Sequence, residues 1–231
     1  MIKEDIHKLL FIDIETVGVD EDLDSLHHTN PKLYKIWEDS GYPYFKRNYS
    51  EDSNLTSNEM FIKKSALLPE FGKIVCISVG FILPNGETKL DSFYGDEKNL
   101  LTSTSELLNR IDKLGFMLCG HNVKNFDLPY IAKRMLINGI QVPPIIPNYK
   151  IKPWESRVLD TKEVWNFNSF RGLSSLDLVC TSLGLESPKE GEVNGSNIHK
   201  YYYNNDIDKI KNYCEEDVKC TINLIKKLKN I

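Results

Sequence analysis

The pattern of apolar and polar residues predicts four β-strands. Continuous apolar runs over Lys8–Glu15 and Lys73–Leu83 are typical of strands buried on both faces, as the central strands of a sheet are. A turn at 84–86 joins the second run to Thr88–Tyr94, so these two segments are expected to form a hairpin. The shorter apolar run 116–119 predicts a further buried strand.

Apolar residues that recur every three or four positions predict helices in the rest of the chain. The expected helices are 100–114, 128–137, 173–183 and 206–229. The last of them carries an apolar stripe formed by Ile207, Ile210, Cys214, Val218, Ile222 and Ile225. Strands followed by a strand–helix unit and a terminal helix predict a mixed α/β sheet flanked by helices rather than a barrel.

The segment after the first strand, Val17–Gly72, differs from the rest of the chain in composition. It carries 10 acidic and 6 basic residues together with several aromatic residues. We interpret it as a largely helical or irregular insertion within one domain that spans residues 1–231, a length typical of a single α/β domain. Two roles are open for it: covering the site and gripping a single strand, or shielding a sheet edge.

The overall composition is that of an ordinary folded protein without a strong charge signal. Apolar residues make up 41% and charged residues 27%, which excludes a disordered tail and a fibrous protein. The net charge of −4 does not indicate a general binder of polyanions. It is compatible with an enzyme that holds divalent cations in an acidic pocket, because the cations then supply positive charge for an anionic substrate.

The chain shows no sign of export or of membrane insertion. Asp13 interrupts the first apolar run too early for a signal peptide, and the longest apolar stretch, Ile74–Leu83, is about half a bilayer span. The five cysteines form no Cys-x-x-Cys pair, so neither a zinc site nor a disulfide framework is expected. These features predict a cytoplasmic protein in a reducing compartment, with no membrane partner.

Asp13 and Glu15 lie two residues apart on the first predicted strand, so their side chains are expected to project from one face. The strand around them is almost wholly apolar, and buried carboxylates are unfavourable unless a positive charge compensates them. Hard oxygen ligands of this kind favour a divalent metal site. The alternative is that both carboxylates are solvated at the strand end or pair with a distant arginine.

A second polar cluster, the segment 121–127 (HNVKNFD), follows the strand predicted at 116–119. Asp127 lies at the entrance of the next predicted helix, where the helix dipole favours a negative charge. We therefore expect Asp127 to stay ionised and fixed in place. The alternative for Asp127 is an ordinary helix cap.

A third cluster lies on the last predicted helix, where Tyr213 and Asp217 are one turn apart on the same face. Both flank the apolar stripe, which directs them toward the core. Glu215 and Glu216 point away from the stripe and are expected to face solvent. The alternative for the first pair is a tyrosine packed at the core edge and a solvated aspartate.

The three clusters occur in a distinctive order: Asp-x-Glu on the first core strand, His-Asn-x-x-x-Phe-Asp after a later strand, and Tyr-x-x-x-Asp near the end. This order resembles the DEDD superfamily of 3′–5′ exonucleases in its tyrosine-bearing branch. The chain looks most like the predicted stand-alone exonucleases related to the proofreading domain of family B DNA polymerases. The histidine-bearing branch has a histidine five residues before the last aspartate, and this position is Asn212 here.

The resemblance implies a ribonuclease H-like fold and a site for two divalent cations, Mg²⁺ or Mn²⁺. The ligands would be Asp13, Glu15, Asp127 and Asp217, and Tyr213 would orient the attacking water. Two such cations can clamp the attacking and leaving oxygens of a phosphodiester. Tyr213, with a free pKa of about 10, is expected to stay protonated and to position the water rather than act as its base.

The resemblance also implies contacts with a single-stranded substrate. Carried over by position, these contacts are made by Thr16, Asn122 and Phe126, and Lys189 is a candidate for a phosphate contact. Phe126 would stack on a terminal base, and its alternative is an ordinary core position. Lys189 is otherwise a solvated loop lysine, and His121 is expected to be structural.

The function predicted from these features is metal-dependent hydrolysis of single-stranded DNA from its 3′ end by a two-metal mechanism. A partner, if the chain has one, is expected to be a DNA polymerase or another replication protein. Two alternatives stay open: an exonuclease of the same branch that trims RNA 3′ ends, and a catalytically silent nucleic-acid-binding module. All four carboxylates and the tyrosine are present, which favours an active enzyme.

Overall fold

A five-stranded sheet forms the centre of the computed structural model, which describes residues 2–152, 155–167, 169, 174–187 and 192–230. The strands are β1 (Leu9–Gly18), β2 (Gly72–Ile82), β3 (Thr88–Tyr94), β4 (Met117–Gly120) and β5 (Val158–Asp160). Their order across the sheet is β3-β2-β1-β4-β5. Neighbours among β1, β2 and β3 pair antiparallel, whereas β4 and β5 run parallel to β1, so the sheet is mixed as predicted.

β5 is the strand that the apolar pattern did not predict. It has three residues, too few for a periodic signal to be recognised. It is a strand because Val158 and Leu159 pair in parallel with Leu118 and Cys119 of β4. The four predicted strands are all present, and β1 continues past its predicted end to Gly18.

The segment between β1 and β2 is a helical insertion with a small core of its own. Its helices are α1 (Leu23–Thr29), α2 (Pro31–Ile36), α3 (Tyr42–Asn48) and α4 (Ser57–Lys64), and a π-helical turn (Trp37–Gly41) joins α2 to α3. Trp37 is fully buried in this core, against the ring of Phe61. A largely helical insertion is therefore confirmed, but the inserted residues are 19–71, because β1 ends at Gly18 and β2 begins at Gly72.

The remaining helices cover both faces of the sheet. They are α5 (Glu97–Lys113), α6 (Asp127–Ile137), α7 (Thr161–Asn166), α8 (Leu176–Ser182), α9 (Ile198–Tyr203) and α10 (Ile207–Lys229). α5 and α6 pack on one face, and α8 and α10 pack on the other. The prediction of a long final helix is confirmed within one residue, whereas the first residue predicted for α8, Leu173, lies outside the described residues. No helix in the described part of the chain is long and apolar enough to cross a bilayer.

β1 positions the predicted site because its two faces have different neighbours. Ile12 and Ile14 belong to the core under α5 and α6, whereas Phe11 belongs to the core under α8 and α10. Side chains alternate between the faces of a strand, so Asp13 and Glu15 follow Phe11 on the α10 side. The two carboxylates therefore lie beneath the helix that carries the third predicted cluster.

A buried ion pair ties α6 to α5 and β2. Arg134 donates to the Glu97 carboxylate from Nε at 2.8 Å and from Nη2 at 2.5 Å, and to Pro69 O from Nη1 at 2.8 Å. Glu97 Oε1 also accepts a hydrogen bond from Ile74 N at 2.7 Å. These contacts hold the start of β2 and the end of the insertion against the helix that begins at Asp127.

Candidate active site

Asp13 and Glu15 of β1 meet Cys214 of α10 inside the protein. One carboxylate oxygen of each acid and Cys214 Sγ all lie within 4.8 Å of one another. Cys214 Sγ contacts both the backbone oxygen and Oδ2 of Asp13 at 3.5 Å. A register shift in the β1–β2 pairing follows Glu15, and such β-bulges are frequent next to active sites. Sequence reasoning placed Cys214 only in the apolar stripe and missed its contact with Asp13.

Asp127 reaches the same cluster from the first turn of α6. Its Oδ1 accepts a hydrogen bond at 3.2 Å from the backbone N–H of Ile14, the residue between Asp13 and Glu15. Burial raises the pKa of Asp127 to about 7, and the backbone hydrogen bonds it accepts offset this only in part. Desolvation therefore weakens the preference for the ionised form at this helix N-terminus, while the hydrogen bond from Ile14 N holds the carboxylate in place.

α10 brings Asp217 and Tyr213 to the cluster. After burial, the charge of Asp217 is the strongest influence that raises the pKa values of both Asp13 and Glu15, so these carboxylates are close neighbours. The Tyr213 hydroxyl donates a hydrogen bond to the Asp217 carboxylate. Burial, and then the surrounding carboxylates, raise the pKa of Tyr213 above its ordinary value, so its hydroxyl keeps its proton at neutral pH.

The cluster has a chemistry that fits divalent cations. In the described part of the chain, no lysine or arginine forms an ion pair with Asp13, Glu15 or Asp127. Burial and mutual repulsion raise the pKa values of Asp13 and Glu15 well above their ordinary range. Carboxylate oxygens are the ligands that Mg²⁺ and Mn²⁺ prefer, and such an ion would relieve the repulsion.

A row of small polar side chains beneath α10 was also missed by sequence reasoning. Cys76, which pairs with Glu15 in the β1–β2 register, lies 3.7 Å from Ser78 through their side-chain atoms. Ser78 Oγ lies 2.9 Å from Ser92 Oγ, which donates to Glu215 Oε1 at 2.7 Å. The expectation that Glu215 faces solvent is therefore wrong, because this hydrogen bond holds its carboxylate against β3. Small residues at alternate positions of β2, namely Cys76, Ser78 and Gly80, are the signal that could have revealed this row.

Asp160 holds the loop that carries Asn122. Its Oδ1 accepts hydrogen bonds from Asn122 N and Lys162 N, both at 2.9 Å, and its Oδ2 accepts one from Lys124 N at 3.0 Å. These bonds fix the backbone that leads into α6, including Asn122 in its left-handed conformation with φ 64°. Both ring nitrogens of His121 lie within hydrogen-bond distance of protein oxygens, at 2.9 and 2.6 Å, which agrees with a structural histidine.

Two of the predicted substrate contacts are next to ligand candidates in the chain. Thr16 follows Glu15, Phe126 precedes Asp127, and both side chains are half-buried. Thr16 Oγ1 donates to Ala66 O at 3.0 Å, and the Phe126 ring lies 5.4 Å from the Tyr130 ring, so both side chains also have structural contacts. Lys189 lies outside the described residues. The contacts with substrate stay predictions.

The mixed sheet and its flanking helices define an α/β fold that is shared with solved structures. Among solved structures, the family B DNA polymerase from the hyperthermophilic archaeon Pyrobaculum calidifontis is similar, with a TM-score of 0.59 and 16% sequence identity. The similarity covers 95% of this chain but 24% of that polymerase. At this level of identity it establishes the fold alone, and it agrees with the fold class predicted from the sequence.

The chain belongs to the family of predicted 3′–5′ exonucleases related to the exonuclease domain of PolB, whose model matches residues 65–229. This match confirms the resemblance that the three clusters indicated. Asp127, Tyr213 and Asp217 lie within the matched residues, whereas Asp13 and Glu15 precede them. No curated protein matches the chain.

Proposed function

We propose that this chain hydrolyses single-stranded DNA from its 3′ end, with two Mg²⁺ or Mn²⁺ ions held by Asp13, Glu15, Asp127 and Asp217. One set of observations above all supports the proposal: Asp13 and Glu15 lie together on β1, Asp127 accepts a hydrogen bond from the residue between them, and the charge of Asp217 on α10 raises the pKa values of both. Membership of the PolB-related exonuclease family supports the direction of cleavage.

The bound cations supply charge neutralisation and water activation for displacement at phosphorus. The residues of the chain supply position. β1 fixes the spacing of Asp13 and Glu15, and the hydrogen bond from Ile14 N orients Asp127 toward them. Because Tyr213 keeps its proton at neutral pH, we assign its hydroxyl to holding the attacking water in line and not to removing its proton.

Thr16, Asn122 and Phe126 are assigned to the substrate strand, and Lys189 to a phosphate of that strand. A phenylalanine beside the ligands can stack on a terminal base whatever its identity, because every base has an aromatic face. A paired end must first be melted to reach a partly buried cluster, and this costs a few kcal/mol. Unpaired 3′ ends are therefore the preferred substrate.

The proposal is tested by digestion of oligonucleotides labelled at either end, as single-stranded DNA, as blunt duplex and as single-stranded RNA of the same sequence. With Mn²⁺ or Mg²⁺, the 5′-labelled single strand is expected to shorten stepwise, and the 3′ label is expected to appear first as a mononucleotide. EDTA should abolish both reactions, and blunt duplex should be degraded more slowly.

Three outcomes would contradict the proposal. Release of mononucleotides from the 5′ end first would reject the direction of cleavage. Faster digestion of RNA than of DNA would replace the substrate class, and full activity in EDTA would reject the role of the carboxylate cluster in binding cations.

A further inference from the structure

A pocket of about 240 Å³ lies at the outer edge of the sheet, against the first turn of α6 and the loop that leads to β5. We call it the edge pocket. Its lining residues are apolar Leu128, Pro129, Pro147 and Ile151, with Lys124, Ser156 and Glu163 as polar members. The carboxylates of the candidate active site are not among these residues, so the edge pocket is a separate feature.

The walls of the edge pocket suit a flat ring. Leu128, Pro129, Pro147 and Ile151 are apolar, and ligand sites with apolar walls contact the faces of a ring system. Ser156 also lines the pocket, but its Oγ is shielded from solvent and is therefore out of reach of a ligand. Recognition in this pocket therefore rests on the apolar walls and not on a hydrogen bond.

Two lysines lie near Asn122, one of the predicted substrate contacts. Lys162, on α7, has its Nζ 3.4 Å from Asn122 Oδ1. Lys124, in the loop before α6, has its Nζ 2.6 Å from the carboxylate of Glu163, which also lines the pocket and balances this charge. Lys162 is therefore the cation that this region offers to a phosphate of the strand.

The loop that closes the edge pocket carries an exposed aromatic ring and a further cation. Tyr149 is 91% exposed, and Lys150 Nζ lies 5.5 Å from the centre of its ring. Both residues lie between Pro147 and Ile151, which line the pocket. Exposed aromatic rings among lysines are typical of surfaces that bind single-stranded nucleic acid, since the rings stack on bases and the lysines contact phosphates.

We infer that the edge pocket binds an unpaired base of the substrate strand, upstream of the 3′-terminal nucleotide. The inference rests on the proposed function, because the strand must place its 3′ end at the carboxylate cluster. The base packs between the apolar walls, while neighbouring phosphates contact Lys150 and Lys162. Stacking tolerates any base, so the pocket raises affinity and sets a minimum strand length without reading sequence.

The first test is a scan of abasic sites through a single-stranded DNA oligonucleotide. Each oligonucleotide lacks one base at a defined distance from the 3′ end, and its binding to the wild-type protein is measured by fluorescence anisotropy in Ca²⁺, with the strand checked for intact length afterwards. We expect one interior position at which removal of the base weakens binding about tenfold. Equal affinities at all interior positions would overturn the inference.

The second test locates the base by substitution. Ile151→Glu places a charge in the apolar wall, and Ile137→Glu makes the same change at the end of α6, where the isoleucine is 55% exposed. Ile151→Glu is expected to weaken binding of the intact strand about tenfold and to remove the dependence on the interior base, whereas Ile137→Glu retains both. Should Ile151→Glu fail to fold, Ile151→Ala and Ile137→Ala form the matched pair.

The folded Ile151 variant could still lose as much affinity as wild type when the interior base is removed. This result would place the base elsewhere and overturn the inference. Failure of the proposed function gives a different result. If the wild-type protein degrades single strands from the 3′ end in Mn²⁺ but binds all the abasic strands equally well, the proposed function stands and the edge pocket is not a base site. A protein that neither degrades nor binds the strand contradicts the function itself.

Discussion

Buried carboxylates occur in two regions of the molecule, and the two regions provide opposite surroundings. In the structural region, Glu97 pairs with Arg134, and Asp160 accepts three backbone hydrogen bonds. In the candidate active site, Asp13 and Glu15 lie side by side beneath α10, and within the described residues no cationic side chain forms an ion pair with either. Burial and repulsion accordingly raise the pKa values of this second pair.

The two regions differ in whether the protein itself supplies partners for its buried carboxylates. A buried charge is tolerated when other groups replace the water it has lost, as they do around Asp160. The carboxylates of the candidate site have one another as neighbours in place of water, so the metal-free cluster opposes folding, and a bound cation would relieve this repulsion. Groups of titratable residues with strongly perturbed pKa values are concentrated at functional sites for this reason.

Asp13→Ala should have the largest effect, which is loss of nuclease activity in a protein that still folds. The change removes a proposed ligand and also relieves carboxylate crowding, so the unfolding temperature without metal should stay the same or rise. Stabilisation by Mn²⁺ should shrink, because the folded state binds the ion less tightly. Cleavage assays and thermal unfolding with and without Mn²⁺ measure these effects, with exposed Asp91→Ala as the control. If Asp13→Ala instead lowered the unfolding temperature without metal, the carboxylates of the candidate site would stabilise the fold as those of the structural region do, and the contrast between the two regions would be lost.

Arg134→Met should be the most destabilising change in the structural region. It leaves the Glu97 carboxylate without its cation, and breaking a buried pair in this way costs about 3–5 kcal/mol. The free energy of unfolding from urea titration measures the loss. Lys133→Met is the matched control on the same helix, since Lys133 and its partner Glu70 are both about half exposed and such pairs contribute less than about 1 kcal/mol. Equal losses in both variants would show that the Arg134 pair has no special role.

Tyr213→Phe should reduce turnover while leaving stability within about 1 kcal/mol of wild type, since it removes one hydroxyl and keeps the ring. Loss of a positioning contact of this kind is expected to slow the reaction by about ten- to a thousand-fold. Single-turnover cleavage of a labelled strand at saturating Mn²⁺ measures the rate, and strand affinity should be nearly unchanged. Tyr94→Phe on β3 is the control. Equal rates for wild type and Tyr213→Phe would reduce Tyr213 to a packing residue.

Asp160→Asn should lower the unfolding temperature of the metal-free protein by a small amount, whereas Asp13→Ala should leave it unchanged or raise it. The amide NH₂ group must face at least one backbone N–H that the carboxylate now accepts from, and an unsatisfied buried group costs about 1–3 kcal/mol. Asp96→Asn is the matched control, because Asp96 caps α5 and asparagine caps helices equally well. Thermal unfolding compares the two, and a stabilised Asp160→Asn would contradict the structural assignment of this carboxylate.

The sequence allowed most of the fold and the membership of the candidate site to be predicted. Long apolar runs and helical periods are local signals, so β1, β2 and α10 were predicted to within a few residues. The three-residue β5 was not, because it exists through its pairing with β4. Glu215 was predicted to face solvent, and this failed for a similar reason. A helical wheel shows which face of α10 lies away from the core, but it does not show that Ser92 of β3 lies close enough to donate a hydrogen bond to Glu215.

The spacing of residues by itself determined which side chains share one face of one element, and hence the pairs Asp13 with Glu15 and Tyr213 with Asp217. The order of the three clusters along the chain also predicted the family, which the match to the family model confirmed. Only the tertiary structure decided that pairs far apart in the chain meet, that Cys214 contacts Asp13, and that Asp127 loses enough water to raise its pKa to about 7. Spacing is a property of local backbone geometry, whereas desolvation and electrostatic coupling depend on everything packed around a group, and packing joins residues that the sequence keeps apart.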